Sequence, residues 1–240
     1  MRRRSLIRHA GIAGVLASSI APAVHAQAAV RWRLASSFPK SLDTIYGGAE
    51  IFAKHIKTVS GGKFEVSVHA AGELVPAFGV VDAVQNGILE AVHTAPYYFF
   101  DKNETFAIGG AIPFGLNSRQ MSAWTFHGNG LSLMREFYAD YNIINFACGN
   151  TGAQMGGWFR KEIKSLSDMK GLKMRIQSSK VLDAQMRALG AILQVMAFSE
   201  LYQGLQSGVV DGTEGVPQGE DRQEDERHGG RGVGPGDCSQ

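Results

Sequence analysis

Residues 30–69, VRWRLASSFPKSLDTIYGGAEIFAKHIKTVSGGKFEVSVH, decide the fold class. Positions 30–35 alternate apolar and polar, the period of a half-buried strand. Ile45, Ala49, Phe52, Ala53 and Ile56 then recur at helical spacing across 42–59, and Gly61-Gly62 ends the run. Positions 64–69 alternate strictly, a second strand. A short helix over 78–86, stopped by Gly87, and a third strand over 90–95 continue the series. Strands and helices in strict alternation predict an α/β fold with a parallel sheet and right-handed crossovers.

Further along, the spacing predicts a helix over 118–138, with Trp124, Leu131, Leu133 and Phe137 in the core. A buried strand is expected at NIINFAC (142–148), and another over 155–160, weakened by its glycines. One helical turn over 165–170 leads to a strand over 172–177. A helix over 179–189 and a strand over 192–196 follow. A helix capped by Ser199 runs to Gln206, and Val209-Val210 opens the last strand.

The N-terminus has a different logic. Arg2, Arg3, Arg4 and Arg8 precede an uncharged run over 10–24, and Ala23-Val24-His25-Ala26 offers small residues at a cleavage site. That is the layout of a secretory signal peptide, too short for a bilayer span of ~20 residues. We expect cleavage near Ala26 and a periplasmic product; the Arg pair before Ser5 leaves both export routes open. Taking those four arginines from the chain's 24 basic residues leaves 20 against 22 acidic ones. The mature part is near neutral, with no basic stripe for nucleic acid. Two cysteines, Cys148 and Cys238, make a poor disulfide framework. Cys148, in an apolar stretch, reads as a small buried hydrophobe. Residues 218–240, QGEDRQEDERHGGRGVGPGDCSQ, hold one aliphatic residue among many charges and glycines. Such a segment buries too little apolar area to offset its ordering entropy and is expected to be disordered.

Three enzyme chemistries lack their motifs. The mature histidines, His55, His69, His93, His127 and His228, show no metal-ligand spacing. There is no G-x-S-x-G elbow. Gly128-Asn129-Gly130 follows a helical pattern and lacks the third glycine of a dinucleotide loop. The second half offers more. Asn150, Thr151 and Gln154 lie beside Gly156-Gly157 and Trp158, polar groups suited to orienting a ligand or simply flanking a bend. Alternation in 172–176 puts Lys173 and Arg175 on one strand face. An Arg near a strand end can grip a carboxylate with its planar fork, although a solvated surface Arg is the commoner case. Glu214 follows the last strand, where open α/β sheets bind ligands.

Four segments together carry a family likeness: WRLASSFPKSLDTIYGGAEIFAKHI (32–56), AAGELVPAFGVVDAVQNGILEAVHTAPYYF (70–99), GNTGAQMGGWFRKEIKSLSDMKGLKMRI (149–176) and ELYQGLQSGVVDGTE (200–214). The chain resembles the periplasmic solute-binding subunit of tripartite ATP-independent (TRAP) transporters, of the DctP type, nearest the 2-oxoacid-binding branch. The resemblance implies two α/β lobes around a cleft, like other periplasmic binding proteins, and no chemistry on the ligand. It places the carboxylate-gripping arginine at Arg175. It places a sodium ion, bridging protein and ligand, on Gln154 and Glu214. Further cleft positions fall on Phe38, Tyr97, Tyr98, Asn150 and Trp158. It implies membrane subunits of a TRAP transporter as partners and a homodimer in full-length relatives. The alternative is an exported α/β hydrolase or isomerase acting on a small organic acid.

The resulting expectation is a signal peptide over 1–26, lobe I over 27–148, lobe II over 149–214 and an aberrant tail over 215–240. The likeness stops near Glu214, and Gly215 stands where that branch usually has an aromatic residue. A shortened or frameshifted end is the expectation, with a divergent tail as the alternative. On that reading lobe I has unpaired edges and exposed apolar surface, and ligand binding is weak or absent.

Overall fold

The computed structural model describes residues 29–110, 112, 115–151, 157–176, 180–214 and 231–233. Strand β1 (Val30–Ser36) lies between β2 (Phe64–His69) and β3 (Ala91–His93), all parallel, in the order β2-β1-β3. The alternation of β1 lasts only half its length. Val30 and Trp32 are exposed, whereas Leu34, Ala35 and Ser36 are all buried, because the far end of the strand is covered on both faces. Helix α1 (Asp43–Val59) makes the first crossover and buries Tyr46 and Ala49. Asp43 in its first turn and Lys57 in its last complement the helix dipole. Gly61 and Gly62 close it at φ of 60° and 80°, a left-handed conformation that a Cβ disfavours. Helix α2 (Val80–Gln85) makes the second crossover. On the solvent side Arg33 grips Glu90 at 2.7 and 3.0 Å, and these bonds hold the Glu90 carboxyl at about 2.

Phe106 is fully buried and meets the rings of Phe99, Phe137, Tyr138 and Tyr141 at 4.9–5.8 Å between centroids. Tilted and edge-to-face pairs of this kind add to the burial of area. They dock the turn Glu104–Gly109 and the end of a later helix onto the first sheet. The helix expected over 118–138 is two helices, α3 (Ser118–His127) and α4 (Gly130–Ala139). Asn117 and Gln120 form a reciprocal capping box at the start of α3. The break falls at Gly128–Gly130, where a Cβ on residue 130 would stand 2.6 Å from the Trp124 ring. Trp124, Leu131 and Phe137 are half-buried, but Leu133 is exposed, contrary to the expected core.

The second sheet repeats the first's connectivity. Strand β5 (Lys173–Ile176) sits between β6 (Ile192–Val195) and β7 (Gly212–Thr213), parallel to both, and helices α5 (Lys180–Ala188) and α6 (Leu201–Gln206) lie in the connections. Strand β4 (Gly157–Phe159) joins β7 antiparallel and β8 (Arg231–Val233) joins β4, giving the order β6-β5-β7-β4-β8. A separate core of Phe159, Met169, Met174, Ile176, Ala191 and Leu193 backs this sheet.

Five expectations need correction. NIINFAC is irregular, and Ile144 and Phe146 are exposed, since no described strand offers it an edge. Cys148 is a free, exposed thiol. Ser199 does not cap a helix: it lies inside the 3-10 turn Phe198–Glu200, where Glu200 reaches back to accept from the Ala197 N–H. Val209-Val210 precedes the last strand instead of opening it, although Val210 is fully buried. Three residues of the tail expected to be disordered, Arg231–Val233, form β8 along β4. Backbone pairing on an open edge needs no apolar side chains. The rest of 215–240, with Cys238, and the signal segment lie outside the described residues.

Candidate ligand cleft

Both sheets run 2-1-3, so each has a point where successive crossovers leave in opposite directions. The crevice beyond the strand ends at such a point is where open α/β sheets take ligands. In the first sheet it lies beyond β1, at Ser36-Ser37-Phe38. In the second it lies beyond β5, at Arg175-Ile176.

Arg175 is completely buried, which rules out the solvated surface role. Its register partners are Gln194 on β6 and Thr213 on β7, and Trp158 pairs with Thr213 on the next strand. The side chain is held at three points. Nε donates to the Met196 carbonyl at 3.0 Å and Nη1 to the Glu214 carbonyl at 3.0 Å. The guanidinium carbon sits 5.1 Å from the centre of the Phe198 ring. The Glu214 carboxylate approaches Nη1 at 3.7 Å. Nη2 is buried and, among the described residues, has no hydrogen-bond partner. A buried donor left unsatisfied costs about 1–3 kcal/mol, and more when charged. With the rest of the fork held by carbonyls, this donor is the one part of the guanidinium left to meet an external acceptor.

Aromatic residues wall the crevice from the first sheet. Phe38 is buried, with its ring 6.1 Å from Tyr98, and Tyr97 meets Tyr98 edge-on at 5.1 Å. Burial pushes the phenols of both Tyr97 and Tyr98 up. Arg175 draws both back and Glu214 pushes both further up, so both tyrosines sense the charges on the second sheet. Phe198 spans the gap: it stacks on Arg175 and packs against the core of the first sheet. The structure therefore assembles Arg175, Glu214, Tyr97, Tyr98 and Phe38 around one crevice, with Trp158 buried beside it on β4. Asn150 is exposed. Gln154 lies outside the described residues.

Motif reading missed three contributors. Phe198 and the Met196 carbonyl follow β6, and His93 ends β3. Their signal is positional: each stands at the end of a strand flanking a crossover reversal. His93 Nδ1 lies 3.2 Å from Ser36 Oγ, and the Phe38 ring meets the imidazole edge-on at 5.3 Å. Burial holds its pKa below the ordinary value, so it stays neutral near pH 7.

An oxygen-ligated cation is partly compatible with these groups. Among the described residues no cluster of three or more His, Cys, Asp or Glu exists. Glu214 contributes a carboxylate of which little is exposed, while its carbonyl is occupied by Arg175 Nη1 and Thr213 Oγ1. A carboxylate and an amide oxygen are a suitable donor pair for a hard cation.

Two sheets, one parallel and one mixed, with crevices at their reversals and a harnessed arginine on the second, define a two-lobed α/β binding protein of the periplasmic kind. The chain belongs to the bacterial extracellular solute-binding protein family 7, DctP, whose profile matches residues 35–219. It is 49% identical over 188 residues to a monocarboxylate 2-oxoacid-binding periplasmic protein of Nostoc sp., covering 78% of this chain and 50% of that one. It is also similar to a TRAP transporter solute-binding protein of Bordetella bronchiseptica, a dimer solved with calcium and picolinate. That match has a TM-score of 0.77 and 42% identity, and covers 81% of this chain and 57% of the other. The Pseudoalteromonas atlantica TRAP protein, solved with sodium and pyruvate, matches at TM-score 0.72 and 36% identity, covering 78% and 56%. The chain spans about half the length of such relatives. The family groups it with solute-binding proteins of transport systems, which sets the enzyme alternative aside.

Proposed function

We propose that this protein captures a small monocarboxylate, a 2-oxoacid such as pyruvate, in the periplasm and delivers it to the membrane subunits of a TRAP transporter. The observation that carries the reading is the buried Nη2 of Arg175, without a partner among the described residues. Met196 and Glu214 aim the fork, so a carboxylate arrives at a donor already oriented, and less ordering entropy is lost on binding. Phe38, Tyr97, Tyr98, Phe198 and Trp158 exclude water and cover an apolar ligand body. Lobe I is 27–148 and lobe II is 149–214, with the ligand between them and Phe198 as a contact across the gap. Glu214, with Gln154, would hold a bridging sodium ion, whose charge would offset carboxylate repulsion. Asn150 adds a polar contact at the mouth. A signal peptide cleaved near Ala26 delivers the chain to the periplasm, and a homodimer like that of the Bordetella bronchiseptica protein is its expected assembly.

Ligand-observed NMR on the whole chain tests the reading, with pyruvate against its uncharged methyl ester. Binding of the acid and not the ester is expected, against the weak or absent binding that a shortened end would give. Failure to bind the acid at about 1 mM, the level at which ~4 kcal/mol of affinity registers, rejects the proposal.

A further inference from the structure

Ser36 is buried, and its Oγ accepts from the Phe38 N–H at 3.1 Å. The Ser36 hydroxyl proton has one acceptor among the described residues, His93 Nδ1 at 3.2 Å. A buried hydroxyl without an acceptor is costly, so the satisfied arrangement has Ser36 donating to Nδ1. That arrangement leaves the imidazole proton on Nε2. Nε2 itself makes no hydrogen bond among the described residues, and it is not sealed from solvent. His93 ends β3, next to the reversal point of the first sheet, and its ring supports Phe38. Phe38 in turn touches Tyr98, which senses Arg175. The first sheet thus presents an aimed, neutral N–H donor from its own strand end, as the second presents Arg175 Nη2.

We infer that His93 is a specificity-determining residue, whose Nε2–H donates to an acceptor oxygen of the ligand beyond its carboxylate, the 2-oxo group in a 2-oxoacid. The inference rests on the carboxylate-binding reading of Arg175 and adds a second, chemically distinct reader. Arg175 recognises the acid, and His93 recognises the oxygen next to it. A cleft so equipped prefers pyruvate to propionate, which has a similar shape and lacks the acceptor. A site built to hydrogen-bond a polar group discriminates against the analogue lacking it, because its own donor is then left unpaired.

Affinities for pyruvate and propionate are compared in the whole chain, in His93→Leu and in His93→Gln. The wild type is expected to favour pyruvate. His93→Leu should lose about tenfold in pyruvate affinity, the effect of one hydrogen bond, with propionate unchanged. His93→Gln, which keeps an N–H donor, should recover part of the preference. Equal binding of the two acids by the wild type, or an unchanged ratio in His93→Leu, overturns the assignment and leaves Arg175 standing. Binding of neither acid by the wild type overturns both. Imidazole 15N shifts of the unmodified protein provide a measurement that needs no variant. They should report the Nε2–H tautomer and move with pyruvate, not with propionate; the Nδ1–H tautomer, or equal movement with both acids, also overturns the proposal.

Discussion

Replacing Arg175 with Lys separates charge from geometry. Lysine keeps a cation, but its single ammonium cannot reach the Met196 and Glu214 carbonyls while also offering a donor to a ligand. At least one hydrogen bond from a charged donor is lost in the folded protein, a cost of about 1.5–3 kcal/mol. For a domain of this size each kcal/mol moves Tm by about 2–4 °C, so calorimetry should show a fall of about 3–12 °C. The ligand loses a preaimed Nη2 as well. A second charge-assisted bond of the same size corresponds to a loss of affinity of about 10–150-fold for pyruvate, read by titration calorimetry. The two effects have separate origins, one in the harness and one in the free donor, and each is measured separately. A lysine variant that melts lower yet binds pyruvate within about twofold of the wild type would show that charge alone suffices, and the fork argument would be wrong.

Other outcomes follow from the same structure. Glu214→Gln keeps shape and removes charge; pyruvate affinity should become insensitive to exchanging sodium for choline, and retained sodium dependence would remove Glu214 from the ion site. Phe106→Ala empties the centre of five packed rings and should cost about 3–5 kcal/mol in chemical denaturation, with smaller values showing that the cluster collapses into the space. His93 should make stability depend on pH. Its folded pKa lies below the unfolded value near 6.5, so the unfolded chain binds the extra proton as pH falls, and stability is lost below about 6.5. His93→Gln should flatten the melting profile between about pH 7 and pH 5, and an unchanged slope would assign the effect elsewhere.

Local pattern carried the first sheet further than the cleft. The β-α-β-α-β reading from residue 30 to 95 matches the observed order because each element there has a period, a stop and a covered face. The reading failed at 118–138 because periodicity runs through Gly128–Gly130, whereas the break is set by the Trp124 ring stacking on residue 130. It failed at NIINFAC because strand propensity is only half of a strand, and the other half is a neighbour. For Arg175, alternation found the face and the strand end. Its burial follows from β5 being the central strand between β6 and β7, which no window of residues around it contains. Phe198 and His93 were illegible for the same reason: they matter through contacts across 23 residues in one case and 57 in the other.

The crossover reversal occurring once in each sheet means that, on the proposed reading, neither lobe owns the whole site. Each half would then bind its part of the ligand weakly, and the half already occupied would hold the other at a high effective concentration. Occupancy then acts as a reversible cross-link. Whatever loosens the contact between the sheets, Phe198 above all, should lower apparent affinity without touching a single ligand atom.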